Sequence, residues 1–184
     1  MRRLAAGVAI IVACLVAGAV SLQAQAGSPW RLGAPRAVVA SAGMFEPIVR
    51  DGESYEIGAE LQFSPRRFEF LPRFVPDLMP VAGVIASAQG ALYGYGGLRF
   101  EVPLGSRFVF GACTGAGLLY EAHAKDLGGP LEFRSGLELA YRLPDESRIG
   151  LMLYHLSNAG LAKPNPGSES LVLTYSSGLG RRRR

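Results

Sequence analysis

Between Ser54 and Phe63 apolar and charged residues alternate without a break. Tyr55, Ile57, Ala59, Leu61 and Phe63 share one parity; Glu56, Glu60 and Gln62 share the other. A β-strand sends successive side chains to opposite faces, so this stretch predicts a strand with one apolar and one charged side. The pattern recurs at 131–141. There Leu131, Phe133, Leu137, Leu139 and Tyr141 face one way, while Glu132, Arg134, Glu138 and the following Arg142 face the other. Residues 92–102 put Tyr93, Tyr95, Arg99 and Glu101 on one side. Eight strands are predicted in all: 36–45, 54–63, 81–89, 92–102, 107–120, 131–141, 149–157 and 169–178. Pro103-Leu104-Gly105-Ser106 and Pro144-Asp145-Glu146-Ser147 read as short turns. The stretch 64–77, with Pro65, Pro72 and Pro76, stays open between an extension of the second strand and a turn.

The first 26 residues have a different pattern. Arg2 and Arg3 precede an apolar run from Leu4 to Val20, and Ala24-Gln25-Ala26 supplies small residues at a cleavage position. This predicts a secretory signal peptide over 1–26, removed after Ala26. Ile11-Val12-Ala13-Cys14 resembles a lipoprotein processing site, but the apolar run continues past Cys14. No later stretch is long and apolar enough for a spanning helix, which needs about 20 residues.

Eight two-faced strands behind a secretion signal, with charges alternating against aromatics, predict an all-β fold. The expected form is an eight-stranded antiparallel up-and-down transmembrane β-barrel over 27–180, followed by a basic tail, 181–184. The apolar face then meets lipid. Glu56, Glu60, Arg134 and Glu138 pair inside a lumen filled by side chains. The competing arrangement is a secreted lipocalin-like barrel with the apolar face inward.

The formal charge of +4 does not describe the body of the protein. Of 19 Lys and Arg, two lie in the leader and four in the tail, which leaves 13 against 15 Asp and Glu. No basic surface for nucleic acid is predicted. With Cys14 in the leader, Cys113 has no partner for an internal disulfide, and no Cys-rich metal site is available.

Candidate chemistry concentrates in Leu153-Tyr154-His155-Leu156-Ser157-Asn158-Ala159-Gly160 and the following Asn165-Pro166-Gly167-Ser168-Glu169. On a strand, His155 and Ser157 point the same way, roughly 6.6 Å apart. A hairpin pairing residues that sum to 324 sets His155 opposite Glu169. The seventh strand is apolar at both parities, but the eighth is not. Ser170, Thr174 and Ser176 mark its inner face, so Glu169 sits with Leu171, Leu173 and Tyr175 on the outer one. Serine needs a base to take its proton, and the base needs a third group to fix its tautomer. Ser157, His155 and Glu169 supply those roles. The N–H groups of Asn158 and Gly160 follow the serine where ladder bonding ends, placed as oxyanion donors, with Gly160 free to adopt an unusual backbone angle. A His-x-Ser pair alone carries no chemistry; the carboxylate of matching parity is what makes a catalytic reading.

These segments resemble the signature of the lipid A 3-O-deacylase (PagL) family. The resemblance implies an eight-stranded outer-membrane barrel with a Ser-His-Glu triad and no cofactor, releasing the ester-linked acyl chain at position 3 of lipid A. On that pattern His155 matches the base, Ser157 the nucleophile, Glu169 the orienting acid, and Asn158 and Gly160 the oxyanion positions. Leu153 stands where the family often has Phe. The chain ends Gly178-Leu179-Gly180 and four arginines, where outer-membrane barrels usually end on an aromatic. Expected partners are lipopolysaccharide and the bacterial outer membrane, reached through a cleaved signal; a homodimer is left open.

Two alternatives are a non-catalytic barrel with a structural or adhesive role, and an esterase of the same fold acting on glycerophospholipid. Other motifs carry less. His123, near Glu121 and Asp126, reads as a solvated loop residue, and so does Lys163, which lies where a phosphate could be met. The glycines at 94–97 and 111–117 lie within strands and lack a following helix, so they read as relief of crowding rather than phosphate loops.

Overall fold

The computed structural model describes residues 33–45, 54–69, 71–120 and 126–179. The leader, the basic tail and His123 lie outside them. Eight strands follow one another: β1 (Ala37–Phe45), β2 (Ser54–Gln62), β3 (Met79–Ser87), β4 (Leu92–Leu104), β5 (Phe108–Tyr120), β6 (Leu131–Arg142), β7 (Arg148–Ser157) and β8 (Ser168–Gly178). Each pairs antiparallel with the next, and β8 pairs with β1 to close the barrel. The observed ends fall within two residues of those expected from alternation. The largest shift is at β3. It begins early because Met79 and Pro80 pair with Arg99 and Leu98. It ends early because Gly90, at φ 90°, turns the chain and donates to Ser87 O at 3.1 Å.

Residues 64–78 do not extend β2 as a continuous strand. One bridge survives, Arg66 to Leu78. Beyond it the prolines remove ladder donors. The guanidinium of Arg67 takes over their work, donating to the carbonyls of Leu71 (3.3 Å), Pro72 (2.9 Å) and Val75.

Parity sorts the side chains as expected. The lumen holds buried Glu56, Glu60, Gln62, Arg99, Arg134, Glu138 and Thr174. The outer wall exposes Leu137, Leu139, Leu151, Leu153, Leu171 and Leu173. A lipocalin-like arrangement would reverse this. The strand registers stack the wall into rows: Tyr141–Ile149–Tyr175, then Leu139–Leu151–Leu173, then Leu137–Leu153–Leu171. An aromatic row bordering leucine rows is what a barrel presents to a bilayer.

Inside, charges are matched across non-adjacent strands. Arg99 donates to Glu101 at 3.1 Å and also to Glu138, which accepts from the Thr174 hydroxyl. Arg148 reaches Glu101 at 2.7 Å. Arg134 lies between the rings of Tyr95 and Tyr154, 4.7 and 4.2 Å from their centroids, with Glu60 at 3.9 Å. Glu56 accepts from Tyr154 and, at 3.0 Å, from Ser170. Two glycines make this packing fit. A Cβ at Gly111 would strike the Arg99 guanidinium, and one at Gly83 would meet the Tyr95 hydroxyl at 2.5 Å. Above the charges an apolar plug of Ile85, Tyr93, Leu127, Tyr154, Leu156 and Val172 fills the rim nearest the β7–β8 loop.

Breaking a buried ion pair by removing one partner leaves an uncompensated charge, at a cost of about 3–5 kcal/mol. Arg99→Ala is expected to lower barrel stability by that order, read from the urea midpoint of the folded, heat-modifiable form in lipid vesicles. A midpoint equal to the parent's would show that the lumen network does not carry stability.

Candidate active site

The β7–β8 hairpin has the register in which His155 pairs with Glu169. Both side chains lie on the outer wall, one row above Leu153 and Leu171. His155 Nδ1 is 3.0 Å from Glu169 Oε1, and the side chains are 45% and 52% exposed. A carboxylate only accepts, so this contact places a proton on Nδ1, and in the neutral imidazole Nε2 is then the acceptor. Ser157, half-buried, closes β7 on the same outer parity and pairs across to Phe133 of β6. No hydrogen bond joins the Ser157 hydroxyl to His155 among the described residues.

The loop between Ser157 and Glu169 is built around Asn158, which is 1% exposed. Its side-chain amide donates to Leu127 O at 2.8 Å and Pro164 O at 3.2 Å. Its Oδ1 accepts from Gly160 N at 2.9 Å. The Asn158 N–H itself donates to Asn165 Oδ1 at 3.2 Å. Both N–H groups singled out as oxyanion donors are therefore held by neutral amide oxygens. The backbone is left-handed at Ala159 (φ 54°) and Gly160 (φ 79°), the unusual angle expected there.

Gly167 was not singled out by its chemistry, yet it walls the site. It is buried, at φ 65°, and a Cβ there would lie 2.7 Å from His155 Cε1 and 3.3 Å from Nε2. Ser135, opposite His155 on β6, was also missed. An open-sided groove of about 330 Å³ runs along the wall from His155 and Glu169 past Leu153, Ser135 and Leu137 to Ala112. Its small residues, Ala112 and Ser135, interrupt the leucine wall beside the imidazole. Lys163 is exposed in the loop. Asp126 accepts from Gly128 N at 2.7 Å and shapes the β5–β6 connection.

Comparison with known proteins agrees with this architecture. A lipid A deacylase PagL of Bordetella bronchiseptica (strain ATCC BAA-588 / NCTC 13252 / RB50) is 36% identical over 74 residues, 39% of this chain. The match spans 42% of that relative, less than half its length. The crystal structure of the outer membrane enzyme PagL, 21% identical, superposes with a TM-score of 0.54 over 76% of this chain and 97% of that one, and so shares the fold. The model of the family described as lipid A 3-O-deacylase (PagL) matches residues 79–177, from the start of β3 almost to the end of β8, with the whole of the β7–β8 hairpin loop inside the match. On that match, over more than half of its length, the chain belongs to the lipid A 3-O-deacylase (PagL) family.

Proposed function

We propose that this chain is a serine esterase of the bacterial outer membrane that removes the ester-linked acyl chain at position 3 of lipid A. The observation that carries the reading is the His155–Glu169 contact of 3.0 Å, held on the lipid-facing wall with Ser157 two residues along. The family supplies the substrate class.

In this mechanism Glu169 fixes the imidazole with its proton on Nδ1. Nε2 takes the proton of Ser157 Oγ as that oxygen attacks the ester carbonyl. Catalytic hydrogen bonds are often long in free enzymes and tighten when substrate binds. The tetrahedral intermediate forms a C–O bond to Ser157 and puts a negative charge on the former carbonyl oxygen. Its collapse breaks the ester bond, and His155 returns the proton to the departing sugar hydroxyl. Water, deprotonated by the same imidazole, then releases the fatty acid from Ser157.

The N–H groups of Asn158 and Gly160 serve the oxyanion. Each first gives up a neutral amide acceptor, Asn165 Oδ1 or Asn158 Oδ1. A charged acceptor makes a bond about twice as strong, so the exchange favours the transition state over the free loop. The groove beside His155 receives the acyl chain from the bilayer, and the substrate never enters the lumen. With the start of β1 and the end of β8 on the periplasmic side, the β7–β8 loop lies at the outer rim, at headgroup depth.

Ser157→Ala and His155→Ala are each expected to cut deacylation of lipid A in vesicles to near background, a loss of about 10⁴- to 10⁶-fold, and Glu169→Ala less. All three should fold, because none touches the lumen network. Full activity in Ser157→Ala would end the proposal. Gly167→Ala offers a subtler check. The new methyl is relieved most cheaply by moving the ring, which breaks the Glu169 contact. A displacement of about 1 Å costs roughly 10²-fold, so kcat should fall by that order with KM little changed. An unaltered kcat would mean that the ring position seen here is not the working one.

A further inference from the structure

The β5–β6 connection lies more than 25 residues from the serine in sequence, yet it touches the loop that carries the serine. Leu127 is 1% exposed and belongs to the apolar plug, packed with Tyr93, Tyr154 and Leu156. This side chain fixes its own carbonyl, and that carbonyl takes the Asn158 amide at 2.8 Å. The next residue, Gly128, has φ 94°. A Cβ there would fall on the carbonyl oxygen of Pro164 and reach within 3.1 Å of Asn158 Nδ2. One residue further, a Cβ at Gly129 would lie 3.3 Å from Ala162 Cβ. Two backbones thus meet at van der Waals distance, with no room for a side chain between them.

Asn158 is the joint. Through Nδ2 it holds the seat at Leu127 and the far arm of its own loop at Pro164. Through Oδ1 it holds the near arm at Gly160. The residue immediately before it is Ser157. The direction in which β7 leaves the sheet, and with it the place of the serine relative to His155, is therefore set by a contact with another loop.

We propose that Leu127 and Gly128 are positioning residues for the reaction: they form the seat on which the loop from Ser157 to Glu169 is held, and only glycine fits at 128. The inference rests on the esterase reading above. It makes the β5–β6 connection part of the catalytic apparatus without touching substrate.

The test uses full-length protein in vesicles containing lipid A, with two readouts. One is steady-state deacylation; the other is the rate at which a fluorophosphonate labels Ser157, which reports the nucleophile without lipid A recognition. Gly128→Ala should keep the heat-modifiable barrel and lose about 10- to 100-fold in kcat. KM should hold, and labelling should slow by the same factor. Gly105→Ala is the control. It has φ 74° at the opposite rim, with nothing within 4 Å of a new Cβ, so it carries similar backbone strain without the collision and should leave activity unchanged. Asn158→Ala loses both Nδ2 bonds without placing a charge beside the Gly160 N–H, and should slow kcat in the same way. Because both variants break one joint, their losses should not multiply in the double variant.

Parental kcat in Gly128→Ala, a loss confined to KM, or losses that multiply would each overturn the seat. If Gly128→Ala does not fold, Asn158→Ala decides alone: parental kcat there is equally fatal. Failure of the esterase reading looks different. The parent protein would then be unlabelled at Ser157 and would keep its activity in Ser157→Ala, which would remove this inference as well.

Discussion

A strand has a side-chain period of two, so a slip of one residue in the β7–β8 pairing would turn the slipped strand inside out. If β7 slipped, His155 and Ser157 would enter the lumen and Met152 and Tyr154 would leave it; if β8 slipped, Glu169 would enter and Val172 would leave. The observed register, in which His155 faces Glu169, is held from both sides. Inside, Tyr154 and Ser170 must reach Glu56, and Thr174 must reach Glu138. Outside, four leucines on the two strands, Leu151, Leu153, Leu171 and Leu173, face lipid. The lumen network thus specifies more than stability: it locks the parity that puts the candidate chemistry on the wall.

That parity separates two jobs. The lumen is packed, and its arginines Arg99, Arg134 and Arg148 are each paired with a carboxylate. The wall is mostly apolar, and the row Thr114–Ser135–His155–Glu169 is a polar break in it, with Ser157 one row above. A polar row at the upper margin of a leucine surface is where an ester linking an acyl chain to a polar headgroup would lie. An exposed His–Glu pair on a lipid-facing wall adds nothing to folding, and surface ion pairs are worth little. On the esterase reading, its place beside a groove and a serine is what gives it a role.

Much of this was legible in the sequence. Strand count and strand ends followed from alternation and turn residues. The outward placement of His155, Ser157 and Glu169 followed from Ser170, Thr174 and Ser176, because β7 is apolar at both parities and settles nothing alone. Lumen pairing was legible only in outline. Glu56, Glu60, Arg134 and Glu138 were expected inside, but the central role of Arg99, joining Glu101 to Glu138, depends on which side chains meet across the barrel. The segment 64–78 escaped because its order comes from Arg67 reaching backbone carbonyls, which has no periodic signature. The occupied N–H groups of Asn158 and Gly160, and the seat at Leu127 and Gly128, depend on loop-to-loop contact across the rim, and local pattern says nothing about that.

The central claim is that the protein changes lipid A in the outer leaflet, and the most direct measurement is the mass of lipid A itself. Lipid A would be extracted from cells that carry the protein and from matched cells that lack it. The account predicts a species lighter by one ester-linked acyl chain only where the protein is present, with the free fatty acid recovered beside it. An unchanged lipid A profile, with the protein verified as a folded barrel in the outer membrane, would contradict it.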